Sequence, residues 1–183
     1  MDEQLLQEAL EHRVDRFYGK YRGLVVQNLD PLGIGRLQAM VPEVLGEVPS
    51  GWALPCAPYA GTGAGLYTVP PIGAGVWVEF ERGDPSKPIW VGCRWGLSSD
   101  VPTLALAGLP TSPNICMQTL GQNMLMLSDT PPTPATGGIV LKSLTGAMLI
   151  VNDAGIFIQN GKGASINLVG PSVDINMGAL TII

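Results

Sequence analysis

The chain has 183 residues, enough for one domain of roughly 100 to 130 residues plus an appendage, and its 46% hydrophobic content excludes a disordered class. Only 14% of residues are charged, while 24 glycines and 16 prolines mark many turns, so apolar surface must be hidden, and subunit contacts are the expected place. A net charge of −5 is the wrong sign for a protein that binds by neutralising phosphates, which sets nucleic acid aside as a partner.

Residues 2–18, DEQLLQEALEHRVDRFY, space Leu6, Leu10, Val14 and Phe17 by 4, 4 and 3, with acids in the first turn. The spacing predicts an amphipathic N-terminal helix ended by Gly19. It lies either on its own domain or on a neighbouring subunit. Nothing in this segment has the basic-then-apolar order of a secretory leader, and the expectation is synthesis and folding in the cytoplasm.

From Tyr21 to Trp95 every signal is β. YRGLVVQN and IGRLQAMV flank the turn LDPLG and read as a hairpin. GVWVEFE and PIWVGCRW flank RGDPSK in the same way. Short strands with long Gly/Pro-rich connections over residues 20–96 predict a small closed barrel of OB type, an architecture that removes sheet edges. Residues 97–137 change texture: VPTLALAGLPTSPN and DTPPTPATGG read as connectors, with a strand pair in NICMQTLGQNMLMLSD between them.

Residues 138–183 form the last segment. Apolar side chains recur at every second position in Ile156 and Ile158, Ile166 and Leu168, Val173 and Ile175, and Leu180 and Ile182, the period of a half-buried strand. Gly146, Gly155, Gly163, Gly170 and Gly178 break this pattern at intervals of 9, 8, 7 and 8 residues. Five-residue strands with one apolar face cannot enclose a core alone. Ordering about 45 residues costs on the order of 50 to 90 kcal/mol of backbone entropy, so the missing surface must come from elsewhere. The fold class expected is therefore all-β: an OB-type small barrel followed by a repeat of short strands, with a short N-terminal helix.

Candidate chemistry is sparse. His12 is the single histidine and reads as a solvated helix residue. Cys56, Cys93 and Cys116, 37 and 23 residues apart, match neither a CxxC pair nor a zinc ligand set and are expected as plain buried thiols. GTGAGL at Gly61 and GIGR at Gly33 lack the Gly-Lys-Ser/Thr of a P-loop and read as turns. Glu79 and Glu81 share a strand face, as a glycan hydrolase would need, but Val76, Val78 and Phe80 make the opposite face a buried one, so a solvated carboxylate face is expected. Trp52, Tyr59, Tyr67, Trp77, Trp90 and Trp95 would suit base stacking in a single-strand nucleic-acid module, yet few basic residues interleave with them. No catalytic, cofactor or metal residue is assigned.

The ordered run FYGKYRGLVVQNLDPLGIGRLQAMVPEVLG, SGWALPCAPYAG and VPPIGAGVWVEFERGDPSKPIWVGCRW resembles the OB-fold domain of contractile-tail spike proteins. That family includes phage baseplate spikes of the gpV type, VgrG proteins of type VI secretion and spikes of extracellular injection particles. GQNMLMLSD and GGIVLKSLTGAMLIVNDAGIFIQN are similar to the family's strands leading into a triple-stranded β-helix, which implies that residues 138–183 form one third of an intertwined trimeric β-helix needle whose missing surface comes from two other copies. The resemblance implies a non-enzymatic, homotrimeric spike that pierces an envelope on sheath contraction, seated on a hub protein at the tube end. Needle-core residues would be Ile156, Ile158, Ile166, Leu168, Val173 and Ile175. Leu6, Leu10 and Phe17 are the candidate hub contacts. No wall-cleaving domain separates barrel from needle, and the tail lacks the His-x-His of metal-tipped spikes, so a separate PAAR-like protein is expected to cap Leu180, Thr181, Ile182 and Ile183.

Overall fold

β-branched and aromatic residues in alternation build the first unit's strands. In the computed structural model, which describes residues 15–182, the chain divides into two units between Gly96 and Leu97. Leu6, Leu10, His12 and Ile183 lie outside the described residues.

The first unit contains β1 (Tyr21–Gln27), β2 (Gln38–Met40), a one-turn helix α1 (Pro42–Leu45), β3 (Leu54–Pro55), β4 (Ala60–Gly61), β5 (Ala64–Gly65), β6 (Gly75–Phe80) and β7 (Pro88–Arg94). Its main sheet runs β2-β1-β6-β7-β3, with β3 parallel to β7 and the other pairs antiparallel. Both expected hairpins are present, β1 with β2 and β6 with β7. Bulges opposite Trp77–Val78 and at Val25–Gln27 bend the sheet, and Gly23 lets β1 cross close to β6, because a Cβ there would stand 3.0 Å from Val76 and from Val78. The enclosed core is Val25, Leu37, Ala39, Val41, Ala53, Val76, Val78, Phe80 and Trp90.

Two local features depart from the sequence expectation. Asp15 to Tyr18, expected as the last turn of the N-terminal helix, are not helical. Phe17 instead docks on the barrel: its amide donates to the Gly83 carbonyl at 2.9 Å, and its ring stands 6.2 Å from Tyr21 and 6.4 Å from Phe80. These contacts tie the segment to the barrel where spacing alone suggested a helix. Cys56 and Cys93 are exposed rather than buried, because both line an open recess of the first unit; all three cysteines are free thiols.

The turn between β1 and β2 is fastened by Asp30. Its carboxylate accepts from the amides of Leu32, Ile34 and Arg36 at 3.0 to 3.2 Å and from the Arg36 guanidinium at 2.7 and 2.9 Å. That guanidinium lies 5.4 Å from the Trp52 ring centre. The Arg36 bonds above all, and then the amides, hold the Asp30 carboxyl well below the ordinary carboxylate range. A depressed folded pKa means the turn stabilises the barrel above the unfolded value of about 4 and loses that contribution as pH falls from there through the lower folded value. Thermal midpoints of wild-type and Asp30→Asn proteins are therefore expected to differ most at neutral pH and to converge in strong acid; a gap that does not narrow would refute the ionic account.

The second unit is one sheet. Its strands are β8 (Ile115–Gln118), β9 (Met124–Thr133), β10 (Thr136–Lys142), β11 (Met148–Asn152), β12 (Gly155–Gln159), β13 (Ser165–Val169), β14 (Ser172–Ile175) and β15 (Leu180–Ile182). Each pairs antiparallel with its sequence neighbours, giving the order β15 to β8. The glycines of the loose repeat fall in or beside the turns, all at positive φ: Gly146 (87°), Gly155 (152°), Gly163 (105°), Gly170 (55°) and Gly178 (95°).

The stretch DTPPTPATGG, read as a connector, is the far end of the β9–β10 hairpin. Pro131 and Pro132 are tolerated because neither side of β9 needs donors there: β8 pairs with β9 only as far as Leu127, and the register shift between Gly138 and Thr136 leaves residues 129–132 without partners on β10. The Asn152 amide secures this end by donating to the carbonyls of Thr133 at 2.9 Å and Thr136 at 3.0 Å. Gly138 has no room for a side chain, since a Cβ would collide with the Val151 carbonyl oxygen.

Candidate functional site

The register of the second sheet aligns apolar side chains into two unbroken rows on one face. One row runs Ile115, Leu127, Ile139, Val151, Ile156, Leu168, Val173, Ile182; the other runs Met117, Leu125, Leu141, Leu149, Ile158, Ile166, Ile175, Leu180. Every strand contributes two residues, and none is polar. Leu149, Val173 and Ile175 are half-buried, whereas the other thirteen are exposed, from 36% at Leu168 to 67% at Ile115.

The opposite face is different. Its central row is Cys116, Met126, Val140, Ile150, Phe157, Asn167 and Asp174. The apolar part of that row, joined by Met124, forms a buried core, with Leu104, Cys116, Met148 and Ala154 packed against it. Leu104 belongs to the segment before β8 and is tied down there, as the Asn114 amide donates to its carbonyl at 2.8 Å. Burial in this layer pushes the Cys116 thiol pKa up. Beyond β12 the row turns polar, and the Asp174 carboxylate accepts from the Gly178 amide at 3.1 Å. One face is thus finished by the chain itself and by water, while the other is left apolar along all eight strands.

An apolar surface of this extent on an isolated chain calls for a protein partner. Its uniform two-residue width suits other copies of itself: one in a face-to-face sandwich, or two in a three-sided prism. Residues 114–181 match the family described as the phage baseplate V C-terminal trimerisation domain, a span that begins one residue before β8 and ends inside β15. Residues 21–95 match the type VI secretion system/phage-baseplate injector OB domain, from the first residue of β1 to one past β7. The chain belongs to the phage baseplate V family. No curated protein is a match to it.

The baseplate spike is a homotrimer, and the two matched domains place it in a phage-tail-like assembly. The family's components are structural. The six predicted needle-core residues of the spike, Ile156, Ile158, Ile166, Leu168, Val173 and Ile175, all lie in the two apolar rows. So do Leu180 and Ile182, expected at the tip: their side chains extend the rows, and what β15 presents beyond them is its outer backbone edge. Eight row residues from Ile115 to Val151 were not singled out from sequence, although the alternation in NMLMLSD and GGIVLK carries the same period.

The rival constellations are not assembled in the described residues. Glu79 pairs with Lys20, and Glu81 opens a 3-10 turn after β6. Trp90 is 7% exposed and donates its indole N–H to the Gly35 carbonyl at 3.0 Å, Trp52 lies under Arg36, and Trp95 stands in solvent. Trp52 and Trp95 stand apart from the others, while Tyr59, Tyr67 and Trp90 line one recess whose lining has no basic residue to hold a nucleic-acid backbone.

Proposed function

We propose that three copies of the C-terminal sheet close their apolar faces onto one axis and form the needle of a spike that a contracting sheath drives through a target envelope. The observation that supports this reading is the pair of eight-residue rows with no polar interruption. Each half-exposed aliphatic side chain gains on the order of 1 kcal/mol on full burial, so a contact of this length holds as a rigid unit under axial load. In this reading the spike performs no catalysis; its work is mechanical. Light scattering at micromolar concentration is the direct test: a particle of three times 19.2 kDa is expected, and a mass of 19.2 kDa would sink the proposal.

A hub protein at the tube end would hold the barrel. Leu6 and Leu10 are the hub-facing candidates, since Phe17 is already engaged with Tyr21 and Phe80. At the other end, β15 is an edge strand with unpaired backbone groups, a template for an added strand. A PAAR-like tip protein would cover this edge together with Leu180, Thr181, Ile182 and Ile183. Removing residues 180–183 is expected to leave the trimer intact and to abolish capture of the tip protein in a pull-down. Undiminished capture refutes the capping role.

A further inference from the structure

The barrel carries an apolar feature that the needle does not use. From Val48 to Val78 the chain has no Asp, Glu, Lys or Arg. Within this tract the chain leaves β3 and folds into a flap, the β4–β5 hairpin, closed by the Leu66 amide donating to the Tyr59 carbonyl at 2.9 Å. Tyr59 and Tyr67 at its base are 63% and 70% exposed. Between the flap and β7 lies a cavity of about 1090 Å³, whose lining includes Ile34, Tyr59, Leu66, Tyr67, Trp90 and Cys93. Cys56 lines it as well, and both thiols are open to solvent in the single chain.

We propose that this cavity is the seat of the neighbouring protomer's barrel, so that the trimer has a second three-fold contact, built by the flap, in addition to the needle. This rests on the trimeric reading above. Three observations favour a second copy as the occupant. The lining strand β7 ends two residues before the unit boundary at Gly96, and the trimerisation match begins at residue 114, so in a trimer about eighteen residues would tether each barrel to the shared needle. Tethers of that kind give effective concentrations of about a millimolar. A ring of three also needs a head-to-tail contact, in which a recess on one chain receives a projection of the next. Finally, the uncharged tract offers no pairing for an ionic ligand, whereas exposed tyrosines flanking an apolar recess are typical of protein interfaces.

Peptide-resolved alkylation with iodoacetamide tests this on the full chain. In the wild-type trimer, Cys56 and Cys93 are expected to react on the order of tenfold more slowly than in a monomeric Ile158→Asp chain. Cys116, in the other unit, serves as an internal control and should react equally in both. If Cys116 is also accelerated, the monomer has loosened and the decision passes to Tyr59→Arg. That variant is expected to stay trimeric through its needle while Cys56 and Cys93 become fast. Fast labelling of both thiols in the wild-type trimer overturns the proposal, including the case in which only an added hub protein slows it; so does unchanged protection in Tyr59→Arg. Failure of the trimer itself would appear separately, as the 19.2 kDa mass.

Discussion

The Ile158→Asp chain is expected to run as a monomer under conditions in which the wild-type chain and Gln159→Asp run as trimers. Ile158 sits in the middle of its row, opposite Leu149 on one side and Ile166 on the other, with no polar side chain in either row. On a three-fold axis its replacement would bring three carboxylates to one level in an apolar interior. An unpaired buried ion costs several kcal/mol, and three such charges also repel one another, which exceeds what the flanking aliphatic contacts return. Gln159 points to the other face, opposite Met148 and Ser165, where it is half-buried. A carboxylate there keeps access to water. Equal effects of the two substitutions would mean that the inward face is misassigned.

Phe157→Ala, one residue earlier, is expected to act on folding rather than on assembly. Phe157 is 5% exposed and packs in the layer formed by Met124, Met126, Val140 and Ile150. Truncating a buried phenylalanine to alanine costs about 3–5 kcal/mol in transfer energy and residual cavity. The denaturation midpoint of the second unit should fall steeply, with folded chains at high concentration still associating through an intact apolar face. An unchanged midpoint would contradict the layer assignment. Together the two variants separate the residues that complete the chain from those that complete the trimer.

Much of this was legible in the residues. A two-residue period at Ile156, Ile158, Ile166 and Leu168 predicts half-buried strands because side chains on a pleated backbone alternate, and turn glycines such as Gly146 and Gly170 mark the breaks. The hairpins around LDPLG and RGDPSK were legible for the same reason: their turn residues have defined conformational roles. Asp15–Tyr18 and DTPPTPATGG were not. A helical spacing at Phe17 gave way to contacts with Tyr21 and Phe80, which are distant or adjacent partners that periodicity cannot weigh. Proline in β9 reads as a strand breaker unless it is known that β8 stops short and that the register with β10 slips at the same residues, which frees both sides.

Sequence by itself determined that the C-terminal segment is a chain of short strands too apolar to stand alone, because that follows from local alternation and composition. In β9, β10 and β11, however, both faces are apolar: Leu125 and Met126, Val140 and Leu141, Leu149 and Ile150 are neighbours with equal claims to a core. Only the tertiary structure decided between them. Antiparallel register places Met126, Val140 and Ile150 in one layer under Leu104, which covers them within the same chain, and it aligns Leu125, Leu141 and Leu149 with Ile158 and Ile166 on the face left open. That choice depends on which strand lies next to which and on what packs above, a long-range property that no local period contains.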